Sequence, residues 1–173
     1  LGGPAQFPAP TQGIPRDQQD AFPLRSHANA AATPASGQFQ PEIVPVWGHD
    51  EQGRRIEVTV DQCVRPDCTA EGLAALKPAF KPDGLVTAGN ASQMSDGAAM
   101  SLFTSSKFAD EHTLRPKARI LGAAVAGVEP EVMGIGPIPA VRKVLQQTGV
   151  AIADLDRFEI NEAFGAQVLA VCK

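Results

Sequence analysis

Two stretches of this chain hold residue types from which a reactive site could be built. The first, LVTAGNASQMSDGAAM at 85–100, begins as a β-branched run, turns through small and hydroxyl residues, and leaves as a helix from Asp96. Gly89 has no Cβ and permits a tight turn, and the Asp96 carboxylate suits a helix start. Gly97, Ala98 and Ala99 would let that helix lie close against its neighbour. A strand, a tight turn and a close-packed helix leave room for a ligand above the turn, although a βα connection without a ligand has the same pattern. The second stretch, RFEINEAFGAQ at 157–167, again passes from strand to helix through polar and small residues. Asn161 stands there where backbone donors and the positive end of a helix converge, a position that also suits a helix cap.

Other chemistries find less support. Three cysteines, Cys63, Cys68 and Cys172, do not make a disulfide framework. Cys63 and Cys68 have no second pair or suitably spaced histidine to complete a zinc site, and His27, His49 and His112 are scattered. No metal is therefore expected, and free thiols suit a reducing compartment. Gly134-x-Gly136 is a weak phosphate-loop signal, and no GxxxxGK[ST] run accompanies it. A formal charge of −4 gives no general reason to expect nucleic acid, and no apolar run reaches the roughly 20 residues that span a bilayer. At 173 residues and 43% hydrophobic content, the chain can bury a core as one domain or as parts of two. It opens on Leu1 with no basic-then-apolar leader, so a fragment or processed product is expected.

The motifs TAGNAS at 87–92, DGAA at 96–99, MGIGP at 133–137 and NEAF at 161–164 occur in this order and spacing in thiolases, and the chain resembles that family from Ile14 to Lys173. The resemblance implies a coenzyme-A-dependent acyltransferase that cleaves 3-ketoacyl-CoA or condenses acetyl-CoA through an acyl-cysteine, as in β-oxidation and fatty acid metabolism. It implies that Asn161 holds a water that donates to the thioester oxygen, a preorganised dipole where charge develops. Arg65 would lie near the CoA phosphates, for which a permanently charged guanidinium is suited. Phe80 would cover the pantetheine arm, the Ser92 hydroxyl would contact it, and Ala88, Ala163 and Phe164 would line the same groove. Met133 would lie at the acyl end, where a flexible thioether can adapt. Coenzyme A enters as substrate, with no prosthetic group. Homodimers or homotetramers are implied, in the cytoplasm or an organelle matrix.

The same resemblance puts the nucleophilic cysteine upstream of this chain, and the partner histidine and second catalytic cysteine downstream. None of Cys63, Cys68 and Cys172 matches those motifs, and Cys172 reads as a small core residue. A thiolase-like protein that binds acyl-CoA or lipid without turnover, or an inactive fragment, is the alternative reading.

These residues need a scaffold. The expected class is α/β, a thiolase-like layered α-β-α-β-α architecture that the chain covers only in part. Residues 1–84 would form a covering loop domain, 85–115 the end of an N-terminal domain and 116–173 the start of a C-terminal one. Residues 1–15 read as loop, and a helix from Arg16 is kinked at Pro23 or begins there. Residues 42–47 and 55–60 pair as a hairpin, with Trp47 as a packing residue. Helices follow at 69–76, 96–109, 139–148 and 163–172, with strands at 85–87, 118–128 and up to Ile160. His27 reads as structural.

Overall fold

The computed structural model describes residues 13–173, with 34–36 described by their backbone alone. The loop expected over 1–15 thus lies mostly outside the described residues. Helix α1 spans Arg16–Ser36 without interruption. It begins well before Pro23 and continues through it, because the lost hydrogen bond concerns one carbonyl only. That carbonyl, on Gln19, faces Gly165; an added Cβ there would stand 2.7 Å from the Gln19 oxygen. Helix α5, Gly165–Cys172, can lie this close to α1 because its first residue has no side chain.

The hairpin forms as expected, though shorter. Strands β1 (Val46–His49) and β2 (Arg55–Val58) pair antiparallel, Val46 opposite Val58 and His49 opposite Arg55. Asp50 makes the turn: its carboxylate accepts from the Gln52 and Arg54 backbone N–H groups at 3.0 and 2.8 Å and from Arg54 Nε at 2.7 Å. The Arg54 backbone bond is the main reason its carboxyl group sits below the usual range. Trp47 packs under the Arg55 guanidinium, 4.4 Å from the ring centroid, but is otherwise exposed.

Helix α2, Ala70–Ala74, starts at Thr69, whose hydroxyl accepts from Gly72 N–H at 3.0 Å. Helix α3 is Ser106–Glu111, capped by Ser105 Oγ accepting from Phe108 N–H at 3.2 Å. The helix expected over 96–109 is therefore mostly absent. Residues 93–105 are irregular, and Met100 (98% exposed) and Leu102 (86%) bury little of their surface. A helix without a buried face has little to stabilise it beyond propensity. The strand expected over 118–128 forms no ladder either, and Ile120, Leu121 and Val125 are exposed. An extended run becomes a strand only when a neighbour takes its N–H and C=O groups. At 85–87 the pairing reduces to an isolated bridge between Pro78 and Thr87, with Ala79 N–H donating to Val86 O at 2.9 Å.

The loop at 130–139 contains a 3-10 helix, Pro130–Ile135, and runs into α4, Pro137–Thr148, which ends before Gly149. The core gathers around α5. Ala166 and Ala170 are buried against Ile14, with Leu85 and Ile135 packed alongside. Helix α5 thus touches α1 on one side and the Pro130–Ile135 turn on another, which lets its remaining face line a cleft.

Candidate functional site

Gln167 and Val171, four residues apart, share one face of α5, and Phe164 stands just before that helix at its capping position. All three line a cleft of about 1290 Å³, bounded also by residues 91–94, the Met133-Gly134 turn, α4 and residues 158–161. Its wall is mainly apolar. Phe80, Ser92, Met133, Asn161, Ala163 and Phe164, drawn from segments far apart in sequence, all reach it. Arg65 and Ala88 do not; both are exposed. Cys172 lines the same cleft and is exposed rather than a core residue, because it occupies the last turn of α5.

Backbone bonds hold the two motif loops together. Ser92 N–H donates to Ala163 O at 2.9 Å, Ala91 and Phe164 form an antiparallel bridge, and Gly165 N–H donates to Asn90 O at 2.9 Å. Ser92 and Asn161 therefore stand on joined segments at the mouth of the cleft. Asn161 does not cap α5: the capping position is Phe164, which supplies no side-chain bond. Its amide is exposed and available to a ligand.

Beneath the wall lies a buried polar chain that sequence reasoning missed. Asn90 is 3% exposed; its Oδ1 accepts from Thr87 N–H at 2.8 Å, and its Nδ2 donates to Asp20 Oδ1 at 2.9 Å and to Leu85 O at 3.0 Å. Asp20 accepts in turn from Arg16 Nε at 2.6 Å, and Arg16 Nη2 donates to Leu73 O and Leu76 O at 2.7 and 3.1 Å. One line of charge-assisted bonds thus fixes the 85–92 turn to α1, and α1 to α2. The available signal was Asn90 in a turn, where an amide side chain readily bonds nearby backbone. Gly89 serves this turn by space rather than by an unusual φ: an added Cβ would lie 2.5 Å from Leu73 Cδ2 and 2.6 Å from Leu76 Cδ1.

A smaller, more polar cavity of about 240 Å³ adjoins the first and shares Ser92 and Asn161 with it. Ser26 Oγ donates to Glu162 Oε2 at 2.6 Å on its rim, and His27 Nδ1 accepts from Arg65 N–H at 3.3 Å. His27 therefore anchors the Arg65 segment. Among the described residues no group of three His, Cys, Asp or Glu could hold a metal ion.

Cys63 and Cys172 are exposed free thiols, while burial pushes the Cys68 thiol up, with the Asp67 and Asp20 carboxylates adding to the shift. The thiolate is the nucleophile, so Cys68 should be modified more slowly than Cys63 by iodoacetamide at pH 8. Peptide mass spectrometry over a time course measures this; Cys68 reacting first would contradict the environment described.

The match to known proteins is extensive. Residues 2–107 match the family described as "Thiolase, N-terminal domain", and residues 114–173 match "Thiolase, C-terminal domain". The acetyl-CoA acetyltransferase of Chromobacterium violaceum is 49% identical over the whole chain, which covers 44% of that protein. The 3-ketoacyl-CoA thiolase of Citrobacter koseri is 47% identical over the whole chain and 45% covered. Among solved structures, the Bacillus anthracis acetyl-CoA acetyltransferase superimposes with a TM-score of 0.88 at 46% identity, over 98% of this chain and 43% of that one. Human mitochondrial 3-ketoacyl-CoA thiolase gives 0.84 at 38% identity, over 98% and 43%. The chain spans less than half the length of these relatives. Its fold is the α/β layered architecture of those structures, covered in part.

Proposed function

Because the chain belongs to the thiolase family, we propose that its cleft receives the thioester end of an acyl-coenzyme A and forms part of an acyltransferase. The reaction is thiolytic cleavage of a 3-ketoacyl-CoA, or the reverse condensation of acetyl-CoA, through an acyl-cysteine. One observation supports this above the others: an apolar cleft with Ser92, Asn161, Ala163 and Phe164 on a wall stitched by backbone bonds. Phe80 and Phe164 give a slender arm apolar contact, the Ser92 hydroxyl offers it a polar one, and Met133 meets the acyl end. Asn161, exposed at the mouth, presents its amide to a water that donates to the thioester oxygen as charge develops. Ala88, exposed and outside the cleft lining, is assigned to the arm beyond the cleft.

Cysteine supplies the nucleophile in this chemistry. Cys172 is a poor fit for it, since it ends α5 and lies about 10 Å along the helix axis from the Asn161 end. Residues 1–84 act as the covering loop domain, 85–115 close the N-terminal domain and 116–173 open the C-terminal one. Assembly as a dimer or tetramer belongs to the same reading. The free thiols support a reducing cytoplasm or organelle matrix.

Calorimetric titration of the chain with acetoacetyl-CoA tests the proposal. Saturable binding is expected; no heat of binding at millimolar ligand would refute it. Arg65, outside the cleft, is assigned to the phosphates at the solvent end of the ligand. Arg65→Ala should weaken coenzyme A binding by about three- to tenfold at low ionic strength, an exposed charge contact being worth little more than about 1 kcal/mol. The effect should vanish at high salt. Equal affinity of the two proteins at low salt would remove Arg65 from the site.

A further inference from the structure

The segment that carries Asn161 is held unevenly. From Ala163 onward it is stitched to residues 90–92 by backbone bonds. Among the described residues, positions 156–161 make no hydrogen bond, and the Asn161 amide is itself without a partner. One side-chain bond reaches this stretch. The Glu162 carboxylate, next in sequence to Asn161, accepts from Ser26 Oγ on α1 at 2.6 Å. A short bond to a carboxylate is among the stronger hydrogen bonds. Its support is firm, because α1 is tied to the 85–92 turn through Asp20 and Asn90 and closes against Gly165.

A donor to a developing oxyanion is effective only if it is fixed before the charge appears. An asparagine with no hydrogen bond of its own takes its place from its backbone. Here that backbone is hydrogen-bonded at Ala163 on one side and clamped through the Glu162 side chain. We propose that Glu162, held by Ser26, is a positioning residue that sets the Asn161 amide at the mouth of the cleft. Ser26, Asn161 and Glu162 all line the small polar cavity, but only Asn161 of the three also lines the cleft. Glu162 thus acts through Asn161 rather than on the ligand. This role rests on the reading of the cleft as an acyl-thioester site and deepens it.

The test is steady-state cleavage of acetoacetyl-CoA by a chimera in which this chain replaces the matching residues of the relative that is 49% identical to it. Ser26→Ala removes the clamp with little risk to α1, since alanine is the best helix former. It should lower kcat about tenfold, within what a misplacement of about 1 Å can cost. KM should change less than about twofold. Glu162→Ala and the double variant should each lose about as much, because all three remove one contact. Ser26→Thr, which keeps the hydroxyl, should restore kcat. In an Asn161→Ala background, Ser26→Ala should cost nothing further, which general loosening of the fold would not produce. Losses that multiply in the double variant, a change confined to KM, or a loss that persists without Asn161 would overturn the role. So would an unchanged kcat in Ser26→Ala where Asn161→Ala is impaired, a result that leaves the cleft reading intact. A folded, unmutated chimera without turnover overturns the cleft reading itself, and the role of Glu162 with it.

Discussion

Asn161→Ala should lower turnover by roughly 10²–10³, the range for loss of one oxyanion donor. The measurement belongs in a chimera in which this chain replaces the matching residues of the relative that is 49% identical to it. The expectation comes from where Asn161 stands. It is exposed at the mouth of the cleft, outside α5, and does not cap that helix. Its removal should therefore leave folding nearly untouched, and the loss should fall on kcat more than on KM, because the oxyanion forms only as the reaction proceeds. A well-folded variant that lost less than about threefold would contradict the proposed role.

The largest stability effect is expected at Asn90. Asn90→Ala removes the acceptor for Thr87 N–H and the donor to Leu85 O, and leaves Asp20 Oδ1 facing a void. Each buried group left unpaired costs about 1–3 kcal/mol, more when charged, and the costs are not additive. A net loss of about 3 kcal/mol is expected, or roughly 6–12 °C in Tm for a chain of this size. Asn90→Asp should be at least as damaging, since it sets a second carboxylate against Asp20 in a buried setting. Urea and thermal melts measure both. A loss under about 0.5 kcal/mol, typical of surface substitutions, would mean that the polar chain from Arg16 to the 85–92 turn is not needed to hold it.

What could be read in advance follows from the range of the forces involved. The two motif loops were legible because small residues, hydroxyls and amides cluster between apolar runs, and Phe80, Ser92, Met133, Asn161, Ala163 and Phe164 do meet at one cleft. Helix α4 was legible from Pro139 in its first turn and Gly149 beyond its end, although it begins two residues before the expected start, at Pro137. Residues 96–109 misled because Asp96 and a run of small residues resemble a helix start, whereas Ser105 makes the cap that forms. The apolar run at 118–128 misled for a different reason. Strand formation is a property of pairs, and composition records only one member. Pro23 looked like a helix boundary, yet Gly165 closes against the carbonyl that the proline leaves free. Asn90 and Asp20 were passed over because their importance arises from burial, which depends on contacts between segments as many as 70 residues apart.

The central claim is that this chain supplies a working acyl-thioester wall to a thiolase. Turnover by the unmutated chimera tests it most directly, followed as coenzyme-A-dependent cleavage of acetoacetyl-CoA to acetyl-CoA. The expected result is a folded protein that catalyses this cleavage and saturates with acetoacetyl-CoA. A chimera that folds and assembles as the relative does, yet neither binds acetoacetyl-CoA nor turns it over, would contradict the claim.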